Sequence, residues 1–155
     1  MEKIIITSHD ELAAFLGKEI GISEYHTVTQ EQINKFADAT LDWQWIHVDA
    51  ERAKKESPFG STIAHGYLTL SLLTPLWLQI VDVRNVKMMV NYGIDDFRFN
   101  QSVRVNDRIR LHTSLLDIKD LRGITRAHMR AVLEIEGNKK PAFEGTILFL
   151  YHFIK

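Results

Sequence analysis

The sequence predicts an α+β domain in which one buried helix packs against an antiparallel sheet. Helical patterns occupy the first half of the chain and alternating strand patterns the second half, which is typical of α+β proteins. The most apolar segment, Tyr67–Val83, is interrupted by threonine, serine, proline, glutamine and aspartate residues. It is too short and too polar to span a bilayer, so a buried core helix is the better interpretation. The 155 residues are expected to form a single domain.

The composition excludes several classes of site and partner. The chain has no cysteine and a net charge of −1. The lack of cysteine excludes a disulfide framework, a thiolate zinc site and a cysteine nucleophile. The near-neutral charge gives no electrostatic reason to expect binding to nucleic acid or to an anionic membrane. The N-terminal segment lacks the long apolar core of a signal peptide, so we expect a cytoplasmic protein.

The first part of the chain is predicted to form short helices and one strand. His9–Leu16 has an amphipathic pattern that ends at Gly17, and Glu24–Val28 has the pattern of a strand. Thr29–Gln32 has the form of a capping box, which predicts the start of a helix. The apolar pattern of that helix fails at Thr40–Leu41.

Two further helices are predicted before the sheet. Asp49 is a candidate N-cap for a short helix over Ala50–Glu56, and Ser57–Ser61 has the composition of a loop. The buried helix begins at Gly66, where the pattern turns apolar on nearly all sides. Pro75 lies within this apolar run and predicts either a kink or a break.

From residue 85 onward the chain is predicted to form strands joined by turns. The clearest alternation runs over Thr125–Ile135, where Ala, Met, Leu and Ile alternate with Arg, His and Glu. Asn106–Asp107 and Gly137–Asn138 have the composition of turns. The other predicted strands are Val86–Tyr92, Asp96–Phe99, Ile109–Leu115 and Phe143–Phe153.

The candidate catalytic residues are an acid and a histidine five positions apart, Asp42 and His47. On a regular helix, residues i and i+5 point well apart. If these two side chains meet around one substrate, the backbone between them must be irregular. The step Ala64-His65-Gly66 follows and opens the buried helix.

These motifs resemble the MaoC-like, or (R)-specific enoyl-CoA hydratase, family, and most closely its nodulation-protein-N-like branch. The family pattern is an aspartate, an Asn-Pro pair and a histidine, followed by an apolar-His-Gly step. Gln44 and Trp45 replace Asn and Pro, as in the closer branch. Leu41 stands where glycine is usual, and Asn106–Asp107 replaces a turn that usually contains glycine. The resemblance lies in Phe36–Thr40, Gln44–Asp49, Pro58–Gly60, Ile63–Gly66, Asn91–Gly93 and Phe97–Phe99.

The resemblance implies one hot-dog domain over residues 1–155, with a long buried helix wrapped by an antiparallel sheet, and a homodimer without a cofactor. It implies reversible syn hydration of trans-2-enoyl thioesters to (R)-3-hydroxyacyl thioesters, carried on coenzyme A or acyl-carrier protein. Asp42 and His47 would together activate water and supply the proton, with the roles of acid and base left open. The backbone N–H of Gly66 would bind the thioester oxygen.

Other candidate site residues have two interpretations each. His65 is one of the candidate residues for binding the substrate, and its side chain is predicted to cap or brace the start of the buried helix rather than to do chemistry. Thr74 either donates a hydrogen bond near the thioester or bonds its own helix backbone. Asp42, His47, Asp49 and His65 have the ligand types of a zinc or iron site. Hydration needs no Lewis acid, however, so we expect no metal.

Two other functions compete with hydration. A thioesterase would direct water at the carbonyl carbon with the same carboxylate, and the paired histidine favours hydration over it. A non-catalytic acyl-thioester binding module would keep only a vestigial site, and the intact pair argues against it. Trp43 and Trp45 either line an acyl tunnel or pack beneath the loop. The candidate cations for a coenzyme A phosphate are Lys54, Lys55, Arg98 and Arg104.

Overall fold

The computed structural model describes residues 1–155 as six helices and eight strands. The helices are α1 (His9–Ala13), α2 (Gln30–Thr40), α3 (Trp45–Val48), α4 (Ala50–Glu56), α5 (Gly66–Ser71) and α6 (Leu73–Ile80). The strands are β1 (Ile4–Ile6), β2 (Glu19–Ile22), β3 (His26–Thr27), β4 (Val81–Val83), β5 (Val86–Phe99), β6 (Arg108–Asp120), β7 (Thr125–Ile135) and β8 (Phe143–Phe153).

The main sheet has six strands in the order β2-β6-β7-β8-β5, with β3 also paired to β6, and every pairing in it is antiparallel. Helices α5 and α6 bury their apolar side chains against one face of this sheet. The core lies between them, with Leu68, Leu76 and Trp77 meeting inward-facing residues of β6, β7 and β8. This arrangement confirms the predicted α+β domain of the hot-dog type.

The buried helical segment is divided into α5 and α6 at Leu72, so it is two short helices rather than one long one. Pro75 lies in the first turn of α6, where its missing N–H needs no partner within that helix. Farther inside a continuous helix, Pro75 would leave the carbonyl of Ser71 without its hydrogen bond, and the proline ring would clash with that carbonyl. Leu72 itself stays in a right-handed helical conformation (φ −72°) and its N–H donates to the carbonyl of Leu68 (3.0 Å), so the interruption that accommodates the proline is confined to one residue.

Both predicted caps are confirmed in the structure. The hydroxyl of Thr29 accepts a hydrogen bond from the N–H of Gln32 at the start of α2. The carboxylate of Asp49 accepts one from the N–H of Arg52 at the start of α4. The first helix is shorter than predicted and ends at Ala13, because the chain leaves it to reach a left-handed turn at Gly17 (φ 75°).

Two strand predictions in the sheet need correction. The predicted strand Glu24–Val28 is represented by β3, and β2 precedes it unpredicted. The predicted pair Val86–Tyr92 and Asp96–Phe99 forms a single strand, β5. Its pairing with β8 shifts register at three places, and Asp96 at one of them is left-handed (φ 47°). Each bulge disturbs the alternation of side chains, which is why the pattern predicted a gap.

The rest of the sheet agrees with the sequence pattern. Along β7, core-facing side chains are buried and alternate strictly with half-buried ones on the other face. The predicted turns are also present, with left-handed conformations at Asn106 (φ 69°) and Gly137 (φ 78°).

A second, two-stranded sheet joins β1 to β4 in parallel, and neither strand was predicted from the sequence. The apolar segment predicted to run to Val83 leaves the helix after Ile80 to form β4. No helix in this protein is both long enough and apolar enough to cross a membrane.

Candidate active site

The loop that carries Asp42 begins where α2 ends. Leu41 takes a left-handed conformation (φ 61°), which stops the helix. Asp42 follows with an exposed side chain, and Gln44 in an extended conformation (ψ 137°) then starts α3, which carries His47. The gap between the two helices provides the irregular backbone that the spacing of five residues requires.

The main chain holds His47 in one orientation. Its Nδ1 donates a hydrogen bond to the carbonyl oxygen of Ile63 (2.7 Å), and only 7% of the residue is exposed. Because a carbonyl oxygen only accepts, Nδ1 carries a proton and Nε2 presents its lone pair when the ring is neutral. The N–H of Ile63 donates in turn to the carbonyl of Ile46 (3.0 Å), so α3 and the segment before α5 are tied together at two points.

Gln30, in the first turn of α2, also fixes the main chain around His47. Its side-chain amide donates to the carbonyl oxygen of His47 (2.7 Å) and to Oδ1 of Asn34 (2.9 Å). Its Oε1 accepts a hydrogen bond from the buried hydroxyl of Thr62 (2.5 Å). Gln30 was not predicted as part of the site, since in the sequence it is only one member of a capping box.

His65 lies directly before α5 but makes no side-chain hydrogen bond to that helix. Its Nε2 lies 3.0 Å from the main-chain carbonyl oxygen of Asp42. Its ring stacks on the ring of His47, with centroids 3.9 Å apart and planes at 23°. The side chain therefore contacts the Asp42 loop and His47, and it does not cap the helix through a hydrogen bond.

A cleft of about 300 Å³ opens beside His47. Gly66 lines it as the first residue of α5, so its N–H has no acceptor within the helix. A Cβ at this position would lie 3.1 Å from Cε1 of Phe99. Thr69 also lines the cleft, and its hydroxyl donates to the carbonyl of Gly66 (2.6 Å). The glycine therefore keeps main chain accessible between Phe99 and His47.

The pKa of His47 is lowered, first by burial and further by the neighbouring ring of His65. The hydrogen bond to Ile63 and the carboxylate of Asp42 act in the opposite direction without cancelling the effect. A lowered pKa means that the imidazole is neutral at pH 7. His47 can therefore accept a proton through Nε2 under ordinary conditions.

Asp42, His47 and His65 form a compact group of polar side chains. One potential ligand atom from each lies within 4.8 Å of those from the other two. Asp49, the fourth member of the metal set considered from sequence, instead caps α4. Two imidazoles and a carboxylate suit a zinc or iron ion, and they equally suit proton transfer at one water molecule.

Thr74 lies in a different depression from His47. It lines a groove of about 480 Å³ between the α5–α6 segment and β5, together with Tyr92 and Ile94. The cleft beside His47 does not include it. The structure thus brings together Asp42, His47, His65 and Gly66, and leaves Thr74 beside the edge strand.

The two tryptophans near Asp42 lie in different environments. Trp43 is exposed, and its Nε1 donates to a carboxylate oxygen of Asp38 (2.7 Å). Trp45 is half-buried beneath the guanidinium of Arg52, which lies 4.3 Å from its ring centroid. Neither ring lines the cleft beside His47. The four candidate cations for a coenzyme A phosphate, Lys54, Lys55, Arg98 and Arg104, are all exposed.

Comparison with known proteins supports the resemblance seen in the motifs. Residues 11–138 match the family described as MaoC like domain. The 3-hydroxyacyl-thioester dehydratase Z of Mycobacterium tuberculosis (strain CDC 1551 / Oshkosh) is 48% identical, over 91% of this chain and 93% of the relative. Nodulation protein N of Rhizobium meliloti (strain 1021) is 39% identical, over 94% of this chain and 92% of the relative.

Solved structures agree at the level of the fold. The unliganded R-hydratase PhaJ1 from Pseudomonas aeruginosa aligns with a TM-score of 0.73, over 97% of this chain and 87% of that one, at 19% identity. The match of the family over most of the chain, together with relatives of similar length, shows that this chain belongs to the MaoC-like domain family.

Proposed function

We propose that this protein catalyses the reversible hydration of trans-2-enoyl thioesters to (R)-3-hydroxyacyl thioesters. The observation that carries the proposal is the placement of an exposed carboxylate, Asp42, beside an oriented and buried imidazole, His47, with potential ligand atoms within 4.8 Å. Membership of the MaoC-like family and the similarity to a 3-hydroxyacyl-thioester dehydratase support the same reaction class.

In the proposed mechanism, one water molecule is held between the carboxylate of Asp42 and Nε2 of His47. As the water oxygen bonds to C3 of the enoyl group, one of its protons passes to this pair. The pair then delivers a proton to C2, so that the elements of water add across the double bond. Each positioned proton transfer contributes about 10²–10⁴-fold to the rate.

The negative charge that develops on the thioester oxygen needs a hydrogen-bond donor. We assign this role to the N–H of Gly66, which begins α5 at the wall of the cleft. A donor of this kind contributes about 3–4 kcal/mol to stabilising a transition state. The proposal covers enoyl thioesters of either carrier, coenzyme A or acyl-carrier protein.

The test is the loss of enoyl absorbance when crotonyl-CoA is hydrated. We expect turnover by the wild type and a loss of kcat of about 100-fold or more in Asp42→Asn and His47→Ala, since each removes a proton-transfer group. Asp49→Asn is the matched control, because asparagine caps a helix as well as aspartate does. If the wild type turns over and both variants keep its kcat, the assignment of Asp42 and His47 to proton transfer is refuted.

The products separate hydration from the competing functions. A thioesterase releases free thiol, whereas a hydratase leaves the thioester intact and forms the 3-hydroxyacyl product. A binding module holds the thioester without turnover, and its affinity is unchanged in Asp42→Asn. Release of free coenzyme A by the wild type without hydration would favour the thioesterase.

We also propose that the protein is a homodimer joined through β5. This strand of 14 residues ends the main sheet, so one of its edges has no partner within the chain. It also carries exposed apolar side chains, which include Met88, Tyr92 and Ile94. An exposed edge that is long and apolar invites pairing with another strand. Pairing here would place the groove that contains Thr74 beside the interface.

Light scattering during size-exclusion chromatography tests the dimer. We expect the wild type to elute with twice the mass of the chain, and Tyr92→Lys to shift toward the monomer because it places a charge on the edge. Leu16→Lys is the matched control, since Leu16 is an exposed apolar residue that bridges to Leu115 of β6, three strands away from β5 in the sheet. A wild type that is monomeric at micromolar concentration would contradict the proposal.

A further inference from the structure

We propose that His65 is a positioning residue that sets the Asp42 loop against His47. The inference deepens the proposed hydration and rests on it. His65 itself is only 3% exposed, and it makes contacts on both sides of the catalytic pair. One side chain therefore controls where the carboxylate stands relative to the imidazole.

The first contact anchors the loop. Nε2 of His65 donates to the main-chain carbonyl oxygen of Asp42 at 3.0 Å. The side chain of Asp42 is exposed, and its one hydrogen bond within the protein, from the N–H of Gln44, is long at 3.4 Å. The N–H of Asp42 donates to the carbonyl of Ala37 at the end of α2 (3.1 Å), so the bond from His65 is the one that ties residue 42 to the ring beside His47.

The second contact fixes the ring itself. The ring of His65 packs against both Phe36 and His47, with ring centroids 4.9 Å and 3.9 Å away. A buried ring in contact with two others has little freedom to rotate. The carbonyl of Ile63 sets the orientation of the His47 ring. Because the His65 ring stacks on it, the orientation of His65 is fixed as well.

The unused nitrogen of His65 supports this role. Its Nδ1 is buried and has no hydrogen-bond partner. Because the carbonyl of Asp42 only accepts, Nε2 carries the proton and Nδ1 is a bare acceptor. Leaving a buried acceptor unpaired is unfavourable, and an apolar ring would fill the same space without this penalty. The bond to Asp42 is the contact that explains an imidazole at this position.

Two substitutions separate the hydrogen bond from the ring. His65→Phe keeps an aromatic ring for the stack but removes the donor, whereas His65→Gln removes the ring and keeps an N–H at similar reach. For His65→Phe we expect kcat on crotonyl-CoA to fall about 10- to 100-fold with KM within about 3-fold, as expected when a catalytic group is misplaced rather than lost. His65→Gln should recover most of the lost kcat.

His9→Phe is the matched control. His9 also uses a ring nitrogen for one hydrogen bond, to the hydroxyl of Thr125 (2.9 Å). Thr125 pairs with Asp120, at the end of the β6–β7 pair far from the cleft. We expect this control to keep the wild-type kcat. Urea unfolding of all variants separates loss of stability from loss of positioning.

The outcomes distinguish this inference from the proposed function. A wild type that does not hydrate the enoyl thioester overturns the function itself. Wild-type turnover with kcat unchanged in His65→Phe, or with equal losses in His65→Phe and His65→Gln, overturns the positioning role alone. The ¹⁵N chemical shifts of the imidazoles in the wild type give a readout that requires neither an activity assay nor a substitution. They should show His65 protonated on Nε2, and protonation on Nδ1 alone would overturn the inference.

Discussion

Replacing Gln30 with leucine should weaken both the fold and the catalysis. The substitution keeps the size of the side chain but removes the hydrogen bonds to the carbonyl of His47 and from the hydroxyl of Thr62. Thr62 is buried, so its hydroxyl would lose its partner away from water. An unsatisfied buried group costs about 1–3 kcal/mol, so two of them predict a loss of about 2–6 kcal/mol in the free energy of unfolding.

Catalysis should suffer more specifically. Gln30 holds the carbonyl of His47, and Thr62 precedes Ile63, whose carbonyl orients the ring of His47. Loss of the hydrogen bonds to the carbonyl of His47 and from Thr62 lets the imidazole move. A misplacement of about 1 Å can lower the rate about 100-fold. We therefore expect kcat of Gln30→Leu on crotonyl-CoA to fall about 10- to 100-fold, with a smaller change in KM.

The assays are urea unfolding and steady-state hydration, with Gln32→Leu as the matched control. Gln32 lies in the same turn of α2, and its Oε1 pairs with Nε2 of His26 (2.8 Å), outside the cleft. Gln32→Leu removes one hydrogen bond, so it should lower the free energy of unfolding by about 1 kcal/mol without changing kcat. If Gln30→Leu lost no more stability and no more activity than Gln32→Leu, the bracing of His47 by Gln30 would be refuted.

Leu41 has a left-handed backbone and is 71% exposed, so Leu41→Gly should raise the free energy of unfolding by about 0.5–1 kcal/mol. Leu41→Ala is the control and should not raise it, and a lower Tm for the glycine variant would contradict the prediction. Because burial lowers the pKa of His47, kcat/KM should hold as pH falls and drop only below the usual imidazole pKa; an acidic limb at about pH 6.5 or above would argue against it. Hydrogen bonds from Arg110 above all hold the pKa of Glu134 at about 2, so its contribution to stability is present above about pH 4.5 and lost as pH falls toward 2. Arg110→Met should therefore move acid unfolding to higher pH, and an unchanged midpoint would count against the pair. Treatment with EDTA should leave hydration unchanged, whereas activity restored by added zinc would reveal a metal-dependent site.

The parts of the fold that the sequence predicted are those set by neighbouring residues. The alternation along β7 and the caps at Thr29 and Asp49 depend on side chains within a few positions of each other. The parallel pairing of β1 with β4 joins Ile4 to Val81, and nothing local to either strand indicates the other. Register shifts in β5 were missed for the same reason, since each depends on how β8 pairs with it.

The site shows the same division. Asp42, His47 and Gly66 carry motifs that a sequence displays, and the structure brings them to one place. The partners that orient them are mostly main-chain carbonyls, such as that of Ile63, and every residue type has one. A backbone acceptor therefore leaves no mark in the sequence. Gln30 was missed in a related way, because its partners lie 17 and 32 positions away.

The carbonyl of Ile63 that orients His47 has a consequence for redesign of the substrate range. Ile63 also lines the cleft, yet its hydrogen bond to the imidazole does not depend on its side chain. The wall of the cleft and the acceptor for the ring of His47 are thus two separable parts of one residue. Smaller or differently branched side chains at this position would reshape the cleft while the ring keeps its partner. A library at residue 63 would test which acyl groups the proposed hydratase accepts while the acceptor for His47 is retained.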